Sequence, residues 1–267
     1  MNKTWRFIND SECDPYYNMA LDESISIHVR KCASHPTLRI YSWKKPSDSL
    51  GCFQINNDID YDYCKKNNIP IVRRLTGGKA ILHDKDITYS ISVNKNTEVF
   101  SSNLFESYKI IADIFYLAFL KSNLKVEIER RRNKNNTQKS PLCFQTTSYA
   151  EIVYQGYKII GSAQKRWSDG FLQQGCIPFS INKENLKYIF KSNIESKNTI
   201  ITINEISPTI SMEKLKENIV NSFEQILNIK FIIDKPTVEE IRFTEDLIKN
   251  KYFNERWIYS RYYNKEC

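Results

Sequence analysis

Seven glycines serve a chain of 267 residues, and six of them fall in two short stretches. A chain so poor in glycine can turn sharply, or press bare backbone against a ligand, at very few places. Gly77 and Gly78 lie in Arg73-Arg74-Leu75-Thr76-Gly77-Gly78-Lys79-Ala80-Ile81-Leu82-His83-Asp84. Gly156, Gly161, Gly170 and Gly175 surround Tyr157–Gln164, and Gly51 alone lies elsewhere. Gly156 reads as an ordinary hairpin turn. The first stretch is less ordinary, because free amide N–H groups beside guanidinium groups make a site for carbonyl or phosphate oxygens. It is not a Walker A loop: Gly78-Lys79-Ala80 lacks the hydroxyl residue, and Arg73 occupies the place of the first glycine.

Between the glycine stretches the hydrophobic pattern changes period. Residues 86–93 alternate strictly, with Ile87, Tyr89, Ile91 and Val93 on one side and Thr88, Ser90 and Ser92 on the other. That is a half-buried strand. Further strands are expected at 4–8, 37–43, 49–53, 69–74 and 171–181, and a hairpin at 148–154 and 157–164 around Gln155-Gly156. Helices are expected at 16–29, 58–67 and 104–120, the last with Ile110, Ile114 and Leu117 on its buried stripe. Residues 130–140 (RRRNKNNTQKS) contain no apolar side chain and read as a solvated loop. The alternative is a cluster that holds a partner's phosphates. Past about Ile206 helices dominate: one over 211–227, and another opened by Thr237 and Glu240 at capping-box spacing. The expected fold class is therefore α/β, an α+β mixture of sheets with flanking helices. A domain over 1–205 would be followed by a small helical subdomain over 206–267.

Hydrophobic residues at 41% suffice for a core. The longest apolar stretch, 110–120, is too short to cross a bilayer, and the first ten residues lack a signal peptide's apolar run. These features lead us to expect a cytoplasmic protein with no membrane partner. Seven cysteines without a CxxC pair suggest reduced thiols. Three histidines and no HExxH give no zinc motif, so no metal is expected. A net charge of +8 attracts acidic partners. The absence of an RNP, KH or helix-turn-helix pattern argues that nucleic acid is not among them.

Cys143, in Pro141-Leu142-Cys143-Phe144 beside the basic loop, sits where cations lower a thiol's pKa. Cys176, in Gln174-Gly175-Cys176, competes with it on similar terms. Lys158, on the second arm of the expected hairpin, reads either as a solvated edge charge or, sharing a face with Ile160, as an inward one.

Several stretches together resemble the lipoate/biotin protein ligase and octanoyltransferase superfamily. They are Asn18-Met19-Ala20-Leu21-Asp22-Glu23, the segment 36–54, RRLTGGKAILHD, and Lys158-x-x-Gly161-Ser162-Ala163. Lys251-Tyr252 followed by Glu255-Arg256-Trp257 is similar to the end of its shorter members. The motifs occur in family order along nearly the whole chain. Cys143 in its Pro-x-Cys-Phe context, and Lys79 where many ligases have a third glycine, resemble the octanoyl-[acyl-carrier-protein]:protein N-octanoyltransferases whose cysteine lies upstream of the hairpin.

The resemblance implies a biotin/lipoate protein ligase-like catalytic domain and a covalent acyl-cysteine. Cys143 and Lys158 would be catalytic. Arg73, Thr76, Gly77, Gly78, His83, Gly161, Ser162 and Ala163 would line a narrow apolar tunnel. It implies octanoyl delivered on the phosphopantetheine of acyl carrier protein, with no other cofactor. The acceptor would be a lysine of a lipoyl domain or of glycine-cleavage H protein, with His83 placed to take the amine's proton. Two other chemistries of the superfamily stay open at this point, an ATP-dependent lipoate ligase and an amidotransferase between lipoyl proteins. If residues 144–154 ran straight, Cys143 would lie roughly 30 Å from the hairpin turn, so the mechanism also requires a bend.

Overall fold

The computed structural model describes residues 4–54, 58–100, 103–129, 150–190 and 200–259. Cys143 and the basic loop lie outside them. The strands are β1 (Thr4–Cys13), β2 (Thr37–Trp43), β3 (Ser47–Leu50), β4 (Ile71–Arg73), β5 (Ile81–His83), β6 (Lys85–Asn94), β7 (Glu127–Glu129), β8 (Glu151–Tyr154), β9 (Tyr157–Lys158), β10 (Gly161–Trp167), β11 (Gly170–Ser180) and β12 (Lys230–Ile233). The helices are α1 (Pro15–Arg30), α2 (Tyr61–Lys66), α3 (Leu104–Lys121), α4 (Lys183–Ile189), α5 (Ile203–Ile206), α6 (Met212–Leu227), α7 (Val238–Leu247) and α8 (Glu255–Tyr259), with a π-helical turn at Ile248–Tyr252 after α7. No helix among the described residues is long and apolar enough to cross a membrane.

A six-stranded sheet in the order β10-β11-β6-β2-β1-β12 carries the molecule. The alternation read at 86–93 becomes its central strand β6, antiparallel to both β11 and β2. Both faces of β6 are covered, so its serines and threonines are as buried as its isoleucines. One face packs on α3 and α6, with Ile87, Tyr89, Ile91 and Val93 meeting Ile111, Phe115, Phe119, Ile219 and Phe223. The other face receives α1, whose register puts Asn18, Asp22 and Ser26 inward along with Met19 and Ile25. Several of the buried polar groups there converge on Asp22, while the hydroxyls of Ser26 and Ser92 find no hydrogen-bond partner among the described residues. Asp22 accepts from Arg39 Nη1 at 2.8 Å, Ser90 Oγ at 2.7 Å, Tyr41 OH at 2.7 Å and Gln174 Nε2 at 2.8 Å.

Two smaller sheets flank the large one, β4-β3-β5 and β7-β8-β9. They correct the expected hairpin. Its first arm, β8, lies between β7 and the two-residue β9; the chain then leaves that sheet, and β10 joins β11 in the large sheet. Lys158 and Gly161, which a single arm would have placed on one strand, therefore end one strand and begin another in a different sheet.

The stretch after 205 contains the expected helices and one strand the pattern did not show. Thr237 and Glu240 form the capping box read from their spacing. The unforeseen β12 lies parallel to β1 at the sheet edge, with Trp5 opposite Phe231. Leu215, Ile219 and Phe223 of α6 belong to the main core, and Arg6 of β1 forms a two-pronged buried pair with Glu240 of α7, at 2.8 and 2.6 Å.

Candidate active site

β3 and β5 belong to the small sheet, β6 and β11 to the large one, and the seam between them opens as a cavity. Met19, Tyr41, Trp43, Ile81, Ala163 and Cys176 give it apolar walls. Ser49, Arg74, His83, Thr88, Ser162 and Gln174 add polar groups. The space they surround, open mouth included, is about 320 Å³. An apolar cleft with a few converging polar groups is what a short acyl chain ending in a carbonyl requires.

Of the glycine loop, Arg74 is on the cavity wall, whereas Thr76, Gly77 and Gly78, expected to line it, are not among the lining residues. Arg74, not Arg73, faces the cavity: its Nη1 donates to Ser49 O at 2.6 Å and Ser49 Oγ at 3.1 Å, and its Nη2 to Gly77 O and Lys79 O, both at 2.8 Å. The Arg73 guanidinium points the other way and binds the carbonyls of Gly51, Cys52, Gln54, Trp257 and Ile258. It therefore fastens α8 to the loop rather than lining the cavity. Adjacent strand residues face opposite sides, and the sequence alone does not say which side is hollow. Thr76 is fully buried and donates to Gln174 Oε1 at 2.9 Å, which ties the loop through Gln174 to Asp22. Gly51, isolated in the sequence, lies against this loop: a Cβ on it would meet the Gly78 carbonyl oxygen at 1.9 Å. On the opposite wall, a Cβ on Gly175 would strike the Tyr89 ring at 2.3 Å.

His83 is buried and stacks on Trp43, ring centroids 4.0 Å apart. Its acidic partner is Asp86, at 2.7 Å from Nδ1, and not the adjacent Asp84, which accepts from the Asn182 amide. Ser49 Oγ lies 2.8 Å from Nε2. Asp86 also accepts from Thr88 Oγ1 at 2.8 Å and from the Cys176 thiol at 3.1 Å. Burial pushes the imidazole below its ordinary pKa, against the pull of Asp86, so the ring is neutral near pH 7. A neutral ring with a carboxylate at Nδ1 carries its proton there, which leaves Nε2 as acceptor of the Ser49 hydroxyl. His83, Asp86 and Cys176 also bring three potential metal-binding atoms within 4.8 Å of one another, but each already has a hydrogen bond to a neighbour in the group.

Residues 14–224 match the family model of the lipoyl protein ligase A/B catalytic domain. The chain belongs to that family. Along nearly its whole length it is similar to the octanoyltransferases LipM of Geobacillus kaustophilus, at 33% identity over 97% of this chain and 99% of that one. It is similar also to those of Staphylococcus epidermidis, at 34% over 98% and 100%, and of Bacillus subtilis, at 30% over 97% and 99%. Among solved structures it shares the fold of lipoate-protein ligase A bound with ATP, with a TM-score of 0.81 and 21% identity over 98% of this chain and 100% of that one. It shares it too with the bipartite lipoate protein ligase of Thermoplasma acidophilum, with a TM-score of 0.80 and 19% identity over 97% and 98%.

In this member of the lipoyl protein ligase A/B family, the remaining expected residues divide. Ser162 and Ala163 line the cavity beside His83, and buried Gly161 begins their strand. Lys158 is buried and inward, as its face with Ile160 suggested, and its Nζ bonds Glu151 at 2.5 Å. It is not on the main cavity wall. Glu151 lines a neighbouring cleft of about 290 Å³ with Tyr89, Tyr108 and Gln173, and Ser162 is common to both spaces. Cys176 is in the cavity, but a thiol donating to a carboxylate is held in its protonated, unreactive form. Cys13, Cys32 and Cys64 are free as well. Sequence reasoning missed Ser49, Arg74, Asp86 and Gln174. Of these only Arg74 carried a signal, as the second half of a pair.

Proposed function

We propose that this protein moves an octanoyl group from acyl carrier protein, through a thioester on Cys143, to a lysine of a lipoyl domain or of glycine-cleavage H protein. That the chain is an acyltransferase, an octanoyltransferase of lipoate biosynthesis, rests on one observation: end-to-end similarity to octanoyltransferases, with Arg74 of the family's glycine loop on the wall of an apolar cavity.

In this reading the acyl chain lies along Met19, Trp43, Ile81 and Ala163, and its carbonyl turns toward the polar rim at the glycine loop and Ser162. Cys143 attacks the donor thioester: a new C–S bond forms and the carrier's thiol leaves with a proton. The Lys158 ammonium, fixed by Glu151, supplies positive charge that favours the Cys143 thiolate and the developing oxyanion. Amide donors at Gly77-Gly78 or Gly161-Ser162 add oxyanion stabilisation, about 3 kcal/mol in comparable sites. The acceptor lysine then attacks the acyl-cysteine as a neutral amine. Both protein partners are expected to be acidic, which gives the net charge of +8 a role in steering. No further cofactor takes part, and the reaction is cytoplasmic.

Intact-mass spectrometry after mixing with octanoyl-carrier protein tests this reading. One octanoyl adduct is expected, absent in Cys143→Ser. Full activity of Cys143→Ala with lipoate, ATP and an acceptor domain would favour a ligase instead. Transfer from an octanoylated H protein but not from the carrier would make the protein an amidotransferase.

A further inference from the structure

The acceptor lysine must lose a proton before it can attack, and direct removal by His83 is blocked, since both ring nitrogens are occupied. Nδ1 faces Asp86 and Nε2 faces Ser49. Of the cavity-lining groups with an exchangeable proton, the Ser49 hydroxyl is the one that meets Nε2. We propose that Ser49, His83 and Asp86 form a proton relay that deprotonates the acceptor amine, with Ser49 the atom the amine meets.

The geometry supports each link. Ser49 Oγ lies 2.8 Å from Nε2, and Nδ1 lies 2.7 Å from Asp86 Oδ2, both within the reach that proton transfer needs. Stacking on Trp43 fixes the ring plane, and Thr88 fixes Asp86 from its other oxygen. Arg74 Nη1, 3.1 Å from Ser49 Oγ, leaves that oxygen one open lone pair and steadies it as its own proton departs. A serine hydroxyl buried only for packing needs one partner, whereas this one is held between a cation and a base and borders the cavity.

The proposal rests on lysine being the acceptor but not on the identity of the acylated thiol. The ammonium N–H breaks and its proton goes to Ser49 Oγ as the Ser49 proton passes to His83 Nε2. The imidazolium is paired by Asp86. The neutral amine forms the C–N bond, the thioester C–S bond breaks, and the departing sulfur takes the second amine proton. The imidazolium proton returns to solvent through Ser49. Arg74, Asp86 and Cys176 are the titratable groups facing the ring, and their net effect with burial is to keep it neutral and able to accept.

Two nucleophiles separate a relay from a structural role. Lysine on an apo lipoyl domain needs a base, whereas hydroxylamine is unprotonated at neutral pH and does not. With octanoyl-carrier protein as donor, Ser49→Ala should lose about 10²-fold in transfer to the lipoyl domain and less than about two-fold in transfer to hydroxylamine. Its rate with lysine should climb in proportion to hydroxide, where the wild type levels off once His83 is neutral. Asp86→Asn should show the same selective loss, and Ser49→Thr should restore lysine transfer if Ser49→Ala folds poorly. Equal losses with both nucleophiles, or none with either, would overturn the relay. Absence of a Cys143 adduct would sink the thioester reading while the ratio of the two rates still judged the relay.

Discussion

Gly51→Ala is the sharpest perturbation of this site, because it touches no group that reacts. The added methyl would sit 1.9 Å from the Gly78 carbonyl oxygen and 2.7 Å from its carbon. To reach an ordinary 3.4 Å contact the two backbones must part by about 1.5 Å. Neither yields easily. Gly51 O is held by Arg73 at 2.7 Å, and the loop is held by Arg74 at Gly77 O and Lys79 O and by the Cys52 amide at Thr76 O, 2.9 Å. Overpacking of this kind costs about 1–3 kcal/mol, and each kcal/mol lowers the melting temperature of a chain this size by about 2–4 °C. Activity should suffer more, since a misplacement of about 1 Å near reacting groups costs on the order of 10²-fold. Calorimetry and steady-state octanoyl transfer measure the two effects on one preparation. A folded Gly51→Ala protein that transfers octanoyl within two-fold of wild type would refute the argument that this contact sets the loop for catalysis.

Other expectations follow from the buried charges. Both carboxyl oxygens of Asp48 are buried without a hydrogen-bond partner among the described residues, and burial pushes its pKa up to about 8 although Arg74 lowers it. A carboxyl whose folded pKa is raised loses stability as pH rises from about 4 to 8, so Asp48→Asn should raise the melting temperature more at the alkaline end of that window than at pH 5. Burial raises the pKa of Glu240, but its bonds from Arg6, Thr237 and Ser34 outweigh this and hold it below the ordinary value. Its stabilising contribution is therefore present above the unfolded pKa and lost as pH falls through the folded one, and an acid titration of Glu240→Gln should lack that limb. Lys158→Met leaves Glu151 without its ammonium partner, a loss of about 3–5 kcal/mol in comparable buried pairs. Adding Glu151→Gln should recover part of that stability in a double-mutant cycle without recovering transfer.

The strands and helices were legible wherever one period ran long enough. Residues 86–93, 104–120 and 211–227 form the expected strand and helices, but β6 is buried on both faces rather than one, and the buried face of α3 runs through Ile111, Ile114, Phe115, Ala118 and Phe119, with Ile110 and Leu117 only partly buried. β12 was not legible, because four residues following a helix carry no period, and only its partner β1 makes Lys230–Ile233 a strand. The expected hairpin failed at Ile159-Ile160, where apolar residues that suit a strand in fact mark the crossing from one sheet to another. At the site, the glycine loop and the Ser162-Ala163 wall could be found from composition and order. The partner of His83 could not: Asp84 is adjacent in sequence, but the turn into β6 brings Asp86 back over the ring. Ser49 gave no signal, being one small polar residue in a strand whose significance comes entirely from what stands across the seam.

The parallel pairing of β1 with β12 has a consequence for how the molecule comes into being. The strand β1 is an interior strand of the sheet, and its outer neighbour is joined to it by more than two hundred residues of chain. A ribosome-bound intermediate that has made every cavity wall still displays a raw sheet edge and leaves Arg6 without its acid. Assembly must wait for the last helices, so the nascent chain is exposed to aggregation late in synthesis, when most of its future active site has already been translated.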